Sequence, residues 1–165
     1  MKNNRGFTMM EMLVVFILIA ILAQVAIVTY RNTIQDSKLD HAKALLKQIA
    51  IANQRFQIDY PSVVIHSAKL VNESNLDSTH CLVNKFSSEP IQPSILIACG
   101  YIEPRTWTDL DYEYHVCGDT SDTYCQNAGA LAYMIGLEGA GKYKDQPFTY
   151  FAGIGDTGQG TGVQN

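Results

Sequence analysis

Three carboxylates alternate with apolar residues at Asp109, Asp111 and Glu113, a spacing that lines one face of an extended strand. Oxygen ligands in such a row are the donor set of a hard cation, and calcium is the candidate. A solvated acidic edge explains the same alternation, so no resident metal is expected. His115, Cys117 and Cys125 together offer nitrogen and sulfur donors for zinc. They lack a fourth ligand and the usual Cys-x-x-Cys spacing, and a disulfide is the better reading of these thiols. Two glycine-rich stretches mimic nucleotide sites. Gly136 to Lys142 fits the first seven positions of a phosphate loop, but Tyr143 stands where magnesium needs a hydroxyl. Gly153, Gly155 and Gly158 fit the dinucleotide spacing, yet only seven residues follow, too few for the helix and second strand that such a site needs. Both read as glycine-rich turns. No Ser, His and Asp set or Cys and His pair belongs to a recognisable catalytic motif, so the chain is not expected to be an enzyme or to hold a cofactor.

The elements that position these residues follow from composition and pattern. The chain has 165 residues, 47% of them hydrophobic and 17% charged, which suits one folded domain and excludes disorder. Its formal charge is −4, but the charge is uneven. From Ser62 to Asn165 five Lys and Arg face twelve Asp and Glu. That segment offers no basic groove, and no nucleic-acid partner is expected. The four cysteines all lie in it. Four thiols allow three connectivities, and pairing neighbours in sequence makes Cys81–Cys99 and Cys117–Cys125 the expected bridges.

The first thirty residues are of another kind. Lys2 and Arg5 precede Gly6-Phe7-Thr8, and Met12 to Ala23 is an unbroken apolar run that resumes as Val25-Ala26-Ile27-Val28. Phe7 to Val28 contains neither Pro nor Gly and, as a helix of about 1.5 Å rise per residue, is long enough to cross a bilayer. The flanking charges put its N-terminus in the cytoplasm and the residues after Tyr30 outside. Glu11 is the one carboxylate in this stretch, a costly group that requires compensation.

Gly6-Phe7-Thr8, two apolar residues, Glu11 and a long apolar run together resemble the N-terminus of the type IV prepilin family, which includes the pseudopilins of type II secretion. The resemblance implies cleavage between Gly6 and Phe7 by a membrane-embedded prepilin peptidase, with N-methylation of Phe7. It also implies that Glu11 meets the terminal amine of a neighbouring subunit, setting register as a filament grows. The short leader and Phe7 look like the type IVa branch. Major pilins of that kind commonly carry proline where Val28 stands and glycine where Ala20 stands, and this chain has neither. The Asp-Pro-Trp-Gly type of segment found in major pseudopilins is also missing; Trp107 stands in Arg105-Thr106-Trp107-Thr108.

Beyond the apolar stretch, Leu39, Ala42, Leu45 or Leu46, Ile49, Ala52 or Asn53, and Phe56 recur at helical steps, and Asp59-Tyr60-Pro61 ends the pattern. Short strands are expected over Cys81–Phe86, Ser94–Ile102, Tyr112–Cys117, Ala130–Leu137 and Pro147–Ile154, after a polar loop from Ser62 to His80. The expected fold is α+β: a long helix on a small antiparallel sheet with disulfides. Four regions follow: a leader over 1–6, a membrane-spanning and filament-core helix over 7–29, an amphipathic helix over 30–60, and a β-rich head over 61–165. The function implied is that of a filament subunit serving motility or adhesion. The alternatives are a tip-located minor pilin and a type II secretion pseudopilin. Expected partners are other pilins as a homo- or heteropolymer, the bacterial inner membrane, the prepilin peptidase and the pilus assembly machinery, with the finished filament on the cell surface.

Overall fold

The computed structural model describes residues 8–71, 81, 91–107, 111–127, 129–152 and, by backbone alone, 155–156. Helix α1 covers Met9–Asp59. The chain falls into two compact units, one ending at Ser37 and one running from Lys38 to Asn165.

In the first unit every described side chain from Thr8 to Ile34 is exposed, among them Phe16 and a nearly continuous set of Leu, Ile and Val. A helix this apolar on all sides is long enough and greasy enough to cross a membrane. The helix passes through Ala20 and Val28 without a break. Just beyond Val28, the hydroxyls of Thr29 and Thr33 donate to the carbonyls of Val25 and Thr29, four residues back, so neither is left unsatisfied in an apolar setting.

The second unit is built on α1 from Lys38 onward. Leu39, Ala42, Leu45, Leu46, Ile49, Ala50, Ala52, Asn53 and Phe56 are buried, so both members of each either/or pair in the sequence pattern face inward. The helix ends at Asp59, two residues before Pro61, with the Tyr60 amide still donating to the Phe56 carbonyl. Against this face lies an antiparallel sheet in the order β1 (Ala68–Lys69), β2 (Tyr112–Val116), β3 (Ala130–Gly136), β4 (Pro147–Phe151) and β5 (Gly155–Asp156). On β2 the alternation is regular: Tyr112, Tyr114 and Val116 are buried in the helix-side core, and Glu113 and His115 are half-buried between them. This is the α+β arrangement expected, a long helix packed on an antiparallel sheet with two disulfides.

Asn53 is the polar member of the core. Fully buried, its amide nitrogen donates to the carbonyls of Cys117 at 2.7 Å and Leu131 at 2.9 Å. The β3–β4 register shifts between Ala130 and Ala132, and the Leu131 carbonyl at that irregularity also accepts from the Cys117 amide. One side chain therefore fixes where α1 sits along the sheet.

Three expectations need correction. Ser94–Ile102 is not a strand: Ile95–Ala98 forms a short helix, α2. It ends with Gly100 at φ 73°, where the Tyr101 amide reaches the Leu96 carbonyl and the Gly100 amide reaches that of Ile97, a Schellman closure. The loop read from Ser62 to His80 contains β1, and the second glycine-rich stretch contains β5, paired with Tyr150 and Phe151. Of the strand expected at Cys81–Phe86, residues 82–86 lie outside the described residues.

Candidate functional site

Residues expected to carry function fall in two places, and they are best built up separately. At the start of α1, Thr8 is the residue before the first helical position and Glu11 is the third inside it. The Thr8 hydroxyl accepts from the Glu11 amide at 3.3 Å, while Glu11 Oε2 accepts from the Thr8 amide and from the Thr8 hydroxyl, each at 2.9 Å. This is a reciprocal capping box: two backbone donors that a helix start leaves orphaned are satisfied by one threonine and one glutamate. The carboxylate is thus engaged within its own chain at the head of an apolar helix. In the sequence Thr8 stands out only as part of the Gly6-Phe7-Thr8 motif, although Thr-x-x-Glu before an apolar run is the signature of such a box. Gly6 and Phe7, the expected cleavage pair, lie outside the described residues.

In the second unit the two described members of the acidic row, Asp111 and Glu113, pair with basic side chains. Asp111 Oδ2 meets Lys38 Nζ of α1 at 3.0 Å. Glu113 holds Lys69 Nζ at 2.7 Å through one oxygen and His115 Nε2 at 2.7 Å through the other. Partial burial alone would raise the Glu113 carboxyl, but the hydrogen bonds from Lys69 and His115 outweigh it and hold it below its ordinary range. Among the described residues no three His, Cys, Asp or Glu are placed to share a metal; Asp109 lies outside them. His115 also stacks on Tyr133, ring centroids 4.4 Å apart, on the side of the sheet away from α1.

The cysteines pair as Cys81–Cys99 and Cys117–Cys125. The second bridge closes the loop from Gly118 to Tyr124, and that loop is fastened to the segment before β1. Gly118 packs so tightly there that a Cβ would stand 2.0 Å from the Ile65 carbonyl oxygen, which only glycine permits. The Asp119 carboxylate accepts from the Ser67 amide at 3.0 Å and the Ser121 amide at 3.1 Å, and faces His66 Nδ1 at 2.9 Å. Burial pushes the Asp119 carboxyl up, but the hydrogen bonds from Ser121, His66 and the Ser67 amide prevail and hold it far below the usual carboxylate range. A carboxyl with a depressed folded-state pKa stabilises the fold above its unfolded value and ceases to do so as pH falls. Asp119→Asn is therefore expected to lower the melting temperature at pH 7. The two melting curves should converge as acid is added below about pH 4, the ordinary Asp range. A difference that is the same at pH 3 and pH 7 would show that the ionised carboxylate is not what holds the loop.

The glycine-rich stretch after β3 is accounted for by packing. Glu138–Tyr143 forms 3-10 turns, and a Cβ at Gly139 would stand 1.8 Å from Asp111 Oδ1, while one at Gly136 would stand 2.0 Å from the Tyr143 carbonyl oxygen. These glycines admit neighbouring side chains and backbone, and the loop opens no α-helix on which phosphate could sit.

Comparison with known proteins bears on the first of the two places. Residues 1–23 match the family model described as the prokaryotic N-terminal methylation motif. The chain carries a type IV prepilin-like signal. The capping box of Thr8 and Glu11 falls inside the matched residues, as do Gly6 and Phe7. No curated protein and no solved structure matches the chain. The prepilin-like signal thus stands at the head of a helix long and apolar enough to span a membrane, and a disulfide-bearing α+β unit follows in the same chain.

Proposed function

We propose that the chain is a subunit of a type IV pilus-like filament. It is held in the inner membrane through Phe7–Val28, cleaved between Gly6 and Phe7, methylated on Phe7, and then assembled through α1. The observation that carries this reading is the match of residues 1–23 to the methylation motif. Three others support it. The part of α1 up to Val28 is exposed and apolar on every side, which suits lipid first and packed helices later. Glu11, the one acid between Phe7 and Val28, is four positions along the sequence from Phe7. The disulfides stabilise a head meant for an oxidising compartment.

The test is the intact mass of the chain recovered from membranes, with and without an active prepilin peptidase. The expected product lacks residues 1–6 and carries one added methyl group. A product beginning at Met1 in both cells, or one cut after the alanines at 20, 23 or 26, would overturn the reading.

A second reading, a low-abundance subunit at the filament tip serving adhesion, is favoured by one feature. The helix runs unbroken through Ala20 and Val28, where the major pilins it resembles carry helix-weakening residues. The composition of sheared surface filaments separates the two: a dominant chain is a major subunit, a trace chain a minor one. The pseudopilin alternative lacks support from Asp111 and Glu113, since each is already paired with a lysine. The chain is read as structural, in keeping with its prepilin-like signal.

A further inference from the structure

Within the second unit, the loop from Gly118 to Tyr124 is closed by Cys117–Cys125 and carries two carboxylates and no lysine or arginine. Each carboxylate faces an imidazole from another part of the chain. Asp119 Oδ2 meets His66 Nδ1, just ahead of β1, at 2.9 Å; Asp122 Oδ2 stands 3.9 Å from Nδ1 of His115 on β2. Among the described residues no lysine or arginine forms an ion pair with either carboxylate.

His115 is the more telling of the two, its side chain being 13% exposed against 40% for His66. Its Nε2 lies 2.7 Å from Glu113 Oε1 and donates there, since a carboxylate only accepts. Its Nδ1 is buried with no hydrogen-bond partner among the described residues, and the nearest charge to it is Asp122. In a neutral ring that nitrogen sets a lone pair against a carboxylate; in an imidazolium it presents a donor. The surroundings favour the second form. Glu113 also accepts from Lys69 Nζ through its other oxygen, so Lys69, Glu113, His115 and Asp122 balance in charge only when the ring is protonated. Tyr133, stacked on the ring, adds no charge: burial and the bond its hydroxyl donates to Asp122 both push its ionisation up. Tyr124 lies against Tyr133, ring centroids 4.9 Å apart. At His66 the same balance holds, because the other side chains bonded to Asp119, Ser67 and Ser121, are neutral.

We propose that these two imidazoles are a pH-operated latch on the disulfide loop. Protonated, each engages one loop carboxylate and holds the loop against the sheet. Neutral, both charge pairs are lost, and the loop opens more often to uncover Tyr133, which is buried with the Cys117–Cys125 bridge. The closed loop binds more protons than the open one, so its stability falls as pH rises. Asp119 and Glu113, held below the ordinary carboxylate range despite partial burial, stay ionised throughout and do not reverse that sign.

The test is amide deuterium exchange of the full-length chain in a non-ionic detergent at pH 5 and pH 8, the span over which an imidazole ordinarily changes charge. Protection factors, corrected for the intrinsic pH dependence of exchange, are compared for the loop and for β3 and β4. Loop protection should fall about tenfold from pH 5 to pH 8, the scale of charge assistance lost from a hydrogen bond, while β3 and β4 hold theirs. His66→Asn with His115→Gln should flatten the loop's response. Because His115 packs on Tyr133, Asp119→Asn with Asp122→Asn serves as a second variant: it keeps both rings, removes the loop charges and should flatten the response as well. Loop protection in the parent that is equal at the two pH values, or higher at pH 8, would overturn the proposal. So would a fall shared equally by β3 and β4, or one that persists undiminished in either double variant.

Discussion

Chains carrying Glu11→Ala are expected to be cut between Gly6 and Phe7 as usual and to be missing from surface filaments. The reasoning begins with the helix start. Glu11 is the acceptor for the Thr8 amide and hydroxyl, and under the proposed cleavage it would stand four residues along the chain from a new cationic amine on Phe7. In an assembled core of apolar helices that amine needs a counter-charge. Leaving one member of such a buried pair alone costs about 3–5 kcal/mol, enough to prevent addition of a subunit. Alanine removes both the cap and the charge, so a second variant is needed to tell them apart. Glu11→Gln keeps an oxygen for the Thr8 amide and loses only the charge, since either residue serves at this position of a capping box. Filament yield by shearing and immunoblot is the readout, with the ratio of cut to uncut chain as the control. If Glu11→Gln assembles like the parent while Glu11→Ala does not, the cap is the essential feature; if both fail, the charge is. Parental yield from Glu11→Ala would refute either account.

The second large effect lies in the core of the head. Asn53→Ala removes two buried donors and leaves a cavity between α1 and the β2–β3 pair. The expected loss is about 2–4 kcal/mol, combining a truncated core residue with carbonyls that lose a partner. Asn53→Leu keeps the volume, so its expected cost of about 1–3 kcal/mol isolates the hydrogen bonds. Denaturant unfolding of the full chain in detergent, followed through the fluorescence of Trp107, measures both. An Asn53→Leu variant as stable as the parent would mean that packing alone positions the helix.

Which of these features could be read from the residues alone depends on how far each signal reaches along the chain. The buried face from Leu39 to Phe56 was legible because a three- and four-residue rhythm persists along the helix, and Pro61 marks its end. The strands Tyr112–Val116, Ala130–Gly136 and Pro147–Phe151 were legible because β-branched and aromatic residues cluster between turn residues. The apolar run Ile95-Leu96-Ile97 misled for the same reason. Its composition suits a strand, while Pro93 before it and Gly100 after it specify a single closed helical turn. Strands of two residues, β1 and β5, carry no periodicity and exist only through their neighbours in the sheet. Glu11 stood out as an isolated acid, but its partner Thr8 was overlooked because a threonine beside a cleavage signal reads as part of that signal. The fastening of Asp119 by His66 and Ser67 was out of reach, since it joins residues more than fifty positions apart.

The position of Asn53 bears on how the head can be isolated. A cut at Pro61, where the pattern changes from helix to strands, would discard the whole buried face of α1 and the amide that bridges Cys117 and Leu131. The sheet would then expose Tyr112, Tyr114, Val116, Met134 and Phe148 to water, and such a fragment would aggregate. The second compact unit begins instead at Lys38, ahead of Leu39 and past the greasy part of the helix. A soluble head for crystallography or for raising antibodies should therefore start there, taking the buried stretch of the long helix with it as its spine.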